Sequence, residues 1–415
     1  MFFISKRIAY VLSADAKYLL REISVIDLMS SLAAIDGKGQ KKQLELQRRI
    51  AAAKELLAES GEARDAISCA FAYRAVADLC RELLAANDPD VTVSDYCDAC
   101  RSAISFGIKA AETDRNTRFL DMTVQIMEGF AKSLGGHGGV RFGGGDADLK
   151  NDCIDFTARC AKTLFKLMND AYPDGCDDEC FDAARKLFGL RLGLAKLTKD
   201  EAGRLCCVTE HAAFMRGLAC GKMPSLLTLT PYLETAIVFL DEYEAVEDRD
   251  AARAGIKALL PTLRDAFCAF RTSYYVISQS LVTELAKRLR RLRGMTGEYF
   301  EPALFGLVSG VCDYFLVKVS RRNLSHNRAA SLCCGLGWPV IEARADAAEL
   351  DRSDALIFVK ACTGCLILRT TDEDGAEFAH AVAGVVAKLA KKYRSKAMHE
   401  EVMLFKDEMS GLPPL

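Results

Sequence analysis

Cys362-Thr-Gly-Cys365 is the stretch whose residue types come nearest to metal chemistry. Two thiolates separated by two residues, one of them glycine, can form the knuckle of a tetrahedral zinc site if two further ligands converge on them. Cys333, Cys334, His326 and His380 are within reach in sequence. The adjacent pair Cys333-Cys334 suits one ion poorly, however, and no second CxxC lies nearby, whereas two well-spaced pairs make the strong signal. No metal site is therefore assigned, and Cys362, Cys365, Cys333 and His326 are the residues to watch. The other pair, Cys97/Cys100, follows Ser94, which can cap a helix. On a helix face the two read as small buried hydrophobes, since free cysteine is among the most buried residue types.

Other catalytic chemistry has less to stand on. Cys176 and Cys180 sit among Asp174, Asp177, Asp178, Glu179 and Asp182, and carboxylates raise a thiol pKa rather than activate it. The five histidines show no HExxH spacing. The glycine run "LGGHGGVRFGGGD" at 134–146 lacks the Lys-Ser/Thr of a phosphate loop, and a helix rather than a strand precedes it. Asp146 is placed to cap the next helix, where its charge would repel a phosphate. The run reads as a hinge or exposed loop. No enzyme motif and no cofactor emerge.

The clearest pattern outside core formation is basic. "KRLRRLRG" carries Lys287, Arg288, Arg290, Arg291 and Arg293 around a Leu285, Leu289, Leu292 stripe. Lys318, Arg321, Arg322 and Arg328 follow, interleaved with Asn323, Ser325, His326 and Asn327. Arginine forks match phosphate oxygens, and two basic segments joined by an apolar hairpin could line one groove for single-stranded nucleic acid such as RNA. Against this stands the acidic stretch Asp241, Glu242, Glu244, Glu247, Asp248 and Asp250, which could pair with the arginines internally. A net charge of −2 is also unlike a dedicated nucleic-acid coat. The alternatives are a protein-interaction or self-assembly scaffold, and a zinc protein or enzyme built around Cys362/Cys365.

The elements that must position these residues are helical. Cys69, Tyr73, Val76, Cys80 and Leu83 step by 4 and 3 along one stripe, as do Leu46, Ile50, Ala53 and Leu57. Breaks at Asn87-Asp88-Pro89, Pro173-Asp174-Gly175 and Gly221–Pro224, with Thr198/Glu201 at capping-box spacing, divide the chain. The helices predicted are 5–34, 40–60, 62–86, 94–112, 115–134, 147–171, 177–194, 199–220, 225–246, 248–260 and 262–293, with Pro261 opening the last. They have no fixed repeat period. "GWPVIEARA", "DALIFVK" and "CLILRTT" are short, apolar and rich in Val, Ile and Leu, so a small β element is expected near 338–371; a buried helix would give the same letters. Helix resumes from Asp374.

The fold expected is mostly α: a two-lobed irregular helical bundle with an N-terminal lobe at 1–134, the 135–146 loop, a second helical block at 147–293 and a C-terminal region at 294–415. Half the residues are hydrophobic, which argues against disorder. The N-terminal charges follow an apolar patch, the reverse of a signal peptide, and the longest uncharged run is too short to span a bilayer. Seventeen cysteines without a secretory pattern then indicate a reducing, cytoplasmic setting with mostly free thiols and no membrane partner.

Overall fold

The computed structural model describes residues 37–59, 61–137, 140–172, 178–219, 226–271, 276–296, 301–330, 350–369 and 371–413. Their regular structure is helical, with no strand among them. Contacts divide the chain into two compact units, Met1–Cys207 and Val208–Leu415. The glycine segment 135–146 lies inside the first, and position 294, the expected start of the C-terminal region, inside the second. The helix predicted at 5–34 lies outside the described residues.

The first unit contains α1 (Gly37–Ala58), α2 (Ala63–Ala85), α3 (Val93–Thr113), α4 (Thr117–Leu134), α5 (Ala147–Ala171) and α6 (Asp178–Leu197). Helix α7 (Glu201–Ala219) carries the division between units. Its capping differs from the predicted pattern. Thr92, not Ser94, caps α3 through a reciprocal box with Asp95. Asp200 takes the Gly203 N–H at 2.8 Å before α7, while the Thr198 hydroxyl turns back to the Leu194 and Ala195 carbonyls. Both sites put a short oxygen-bearing side chain where the first helical N–H groups need an acceptor.

The α3–α4 contact shows how the sequence sets helix spacing. Gly107 faces Thr123, whose hydroxyl donates to the Gly107 carbonyl at 3.0 Å. A Cβ at Gly107 would stand 2.9 Å from Thr123 Cγ2, so the missing side chain lets the helices meet. Farther along, Tyr96 packs edge-on against Phe130 and donates its hydroxyl to Ser133 at 2.7 Å. The buried polar tip is thereby satisfied, as burial requires.

The second unit contains α8 (Leu226–Ala245), α9 (Arg249–Phe270), α10 (Gln279–Thr296), α11 (Glu301–Ser320), α12 (Arg352–Ile367), α13 (Asp372–Lys392) and α14 (Lys396–Ser410). Pro261 does not open a helix; α9 runs through it. The carbonyl that loses its i+4 donor belongs to exposed Lys257, which water can satisfy. Nor do "DALIFVK" and "CLILRTT" form strands. Asp351 accepts from the Asp354 N–H, and the chain continues as α12, packed between α11, α13 and α14. Burial on nearly every side produces the continuous apolar run that resembles a core strand. "GWPVIEARA" lies outside the described residues. The stretch Ala303–Ser320 of α11 has the length and composition of a membrane span, and 61% of it is buried inside the protein.

Candidate binding surfaces

The described members of the nine basic residues take different settings. On α10, Lys287 pairs with Glu284 at 2.7 Å. Arg288 sets its fork on Asp241 of α8, Nε to one oxygen at 3.1 Å and Nη2 to the other at 3.2 Å, and also contacts Glu284. Arg291 reaches Asp241 at 3.1 Å and Glu244 at 3.6 Å. Lys287 and Arg288 together hold the Glu284 carboxyl below its ordinary range. Part of the acidic stretch at 241–250 thus ties α8 to α10 with the charges expected to meet phosphate. The side chains of Arg290 and Arg293 lie outside the described residues.

Lys318 is buried, unlike a surface cation. Its ammonium donates to the Phe270 carbonyl at 3.4 Å and lies 4.9 Å from the centre of the Tyr314 ring. Burial, helped by nearby Arg321, pushes it down to about 8. Arg321, Arg322 and Arg328 are exposed. Arg322 closes α11 in the left-handed region at φ 59°, its N–H on Val319 and that of Asn323 on Lys318. Those bonds satisfy the last carbonyls of the helix.

The cysteines meet partners that spacing does not reveal. Cys362 and Cys365 are buried inside α12, so Gly364 forms no knuckle turn. Cys365 Sγ instead lies 3.9 Å from Cys312 Sγ on α11. Burial drives the Cys362 thiol well above its ordinary range. His326 is exposed, and Cys333 lies outside the described residues. Among the described residues no three metal-ligating side chains converge. In the first unit Cys97 hydrogen-bonds Cys153 of α5, which raises Cys97 and lowers Cys153; the Arg101 guanidinium lowers Cys153 further.

Two glycines of the run, Gly136 and Gly143, have local tasks. Gly136 ends α4 at φ 86°, with His137 N–H on the Lys132 carbonyl. The Asp146 carboxylate accepts from Gly143 N–H at 2.9 Å, closing a short 3-10 turn, rather than capping α5 in the forward direction.

Sequence reading missed a groove between α4 and α6. It encloses about 420 Å³ and is lined by Ala131, Gly135, Gly189, Leu190, Gly193 and Leu197, with Glu128, Lys132 and His137 as its polar groups. Lys186 fixes the two helices beside it, bridging Asp121 of α4 at 2.9 Å and Asp182 of α6 at 2.7 Å. Burial pushes the Glu128 carboxyl up. Gly189 and Gly193 are exposed, and a Cβ on either would meet nothing within 4 Å. The signal was present as the i,i+4 series Gly189, Gly193, Leu197, although such spacing is legible only once α4 is known to lie opposite.

No protein-family model matches the chain, and no curated protein matches it. One solved structure with some likeness is described as a "circular tandem repeat protein with novel repeat topology and enhanced subunit contact surfaces". It is 14% identical, with 94% of this chain and 88% of that one covered and a TM-score of 0.35.

Proposed function

We propose that this chain is a non-enzymatic helical scaffold that works by holding a protein partner in the α4–α6 groove. The observation that carries the reading is the pair of open helical glycines lining it. Glycine inside a helix costs roughly 0.5–1 kcal/mol relative to alanine. At Gly189 and Gly193 the fold itself supplies no steric reason for that cost, because alanine would fit. Close approach of another chain does supply one. The mainly apolar lining, with a carboxylate and an ammonium among its polar groups, suits an apolar segment with polar flanks. Affinity capture from extracts of the source cells, wild type beside Gly193→Arg, tests this. A partner retained by the wild type and lost with the variant is expected; identical recovery by both would overturn the assignment.

A second reading keeps the polyanion, for which exposed Arg321, Arg322 and Arg328 speak, with Ser325, His326 and Asn327 between them. The ligand would be single-stranded nucleic acid held through phosphates, with affinity falling steeply as salt rises. Fluorescence anisotropy with single-stranded RNA and DNA across a salt series separates the readings. Binding that survives Arg288→Ala/Arg291→Ala and disappears with Arg321→Ala/Arg322→Ala/Arg328→Ala would place a polyanion there.

A further inference from the structure

We propose that Cys312 and Cys365 are a redox-linkable dithiol that, once oxidised, staples α11 to α12. The two sulfurs lie 3.9 Å apart across the helix interface, and both residues are buried. A disulfide needs about 2.05 Å, so the sulfurs must approach by roughly 2 Å. The adjacent Gly364 makes the approach feasible. A Cβ there would stand 2.7 Å from Cys312 Cβ and 3.1 Å from its sulfur, so only glycine lets Cys312 sit this close to the α12 backbone. The CxxC spacing suggests Cys362 as the partner of Cys365, whereas the fold offers Cys312, fifty-three residues away.

The oxidant is a small disulfide of the glutathione type. One protein thiolate attacks it, forming a mixed disulfide and releasing one small thiol. The second protein thiolate then attacks the protein-side sulfur and releases the other small thiol. Two protein thiols and one small disulfide become one protein disulfide and two small thiols, and the two protons leave with the departing thiols. Because the pair is buried, exchange proceeds while α11 and α12 are apart, during folding or transient opening. Once formed, the bond closes a loop containing Arg321, Arg322 and Arg328 and resists that opening.

The test refolds the reduced full chain in glutathione buffers of graded reduced-to-oxidised ratio, traps residual thiols with iodoacetamide and maps links by mass spectrometry. The same buffers containing denaturant give the undirected distribution. A Cys312–Cys365 link should dominate within 208–415 after refolding but not in denaturant. Cys362→Ser should retain it, and the linked chain should melt several degrees above its dithiothreitol-reduced form. Both cysteines alkylated at every ratio would overturn the proposal. So would a dominant Cys362–Cys365 link, or link yields equal with and without denaturant. The wild-type map alone suffices if a variant fails to fold.

Discussion

Arg288 and Asp241 face each other as a two-point pair, guanidinium against carboxylate at 3.1 and 3.2 Å, across the α8–α10 interface. The parallel fork restrains both side chains, and Arg291 shares the same carboxylate. Part of the most basic stretch in the sequence is thereby committed to joining two helices. Asp241 is partly exposed, so solvent screens the pair and its worth is modest. A double-mutant cycle on Arg288→Ala and Asp241→Ala, read by urea unfolding, should give a coupling of about 0.5–1 kcal/mol that shrinks in high salt. Coupling indistinguishable from zero at low salt would return Arg288 to the surface.

The helical glycines separate into two classes with opposite outcomes. Gly129→Ala, Gly189→Ala and Gly193→Ala place a methyl where nothing lies within 4 Å. Each should raise stability by roughly 0.5–1 kcal/mol. Gly255→Ala drives a methyl into the Tyr243 ring, a buried group, and should lower stability by about 1–3 kcal/mol. Thermal melts of the four variants check the signs; destabilisation at positions 189 and 193 would mean that the fold needs those glycines.

Lys318 predicts a pH dependence in the alkaline range. Its folded pKa, about 8, lies below the ordinary 10.5 because burial disfavours the ammonium. Between those values the unfolded chain holds more protons, so stability rises with pH through that window. Below about pH 8 the penalty is constant. Urea unfolding at pH 7.5 and 9.5 should show a gain for the wild type of at most about 2 kcal/mol relative to Lys318→Met. Parallel pH profiles for the two proteins would exclude Lys318 as the cause.

Local periodicity made the helices legible: the Cys69–Leu83 stripe is α2, and its neighbours follow the same rule. What the letters concealed depends on contacts between distant segments. α12 reads as strand because a helix buried on most sides has no polar face to mark its period. Lys318 reads as a surface cation because lysine is rarely buried, and nothing in its neighbours along the chain marks the exception. The basic run suggests phosphate until Asp241 is placed beside it. Cys365 suggests Cys362 by spacing and meets Cys312 by packing. The same limit hid the α4–α6 groove, half of which comes from each of two helices separated by more than forty residues.

Photo-crosslinking tests the groove assignment most directly. Leu197 and Leu56 are equally exposed, each at 41%, but only Leu197 lines the groove. A photo-reactive side chain is installed at one or the other position, and each protein is irradiated in source-cell extract. The scaffold reading predicts a discrete protein adduct from position 197 and none from position 56, with the adduct abolished when Gly193→Arg is added. No adduct at 197, or the same adducts from both positions, would contradict it.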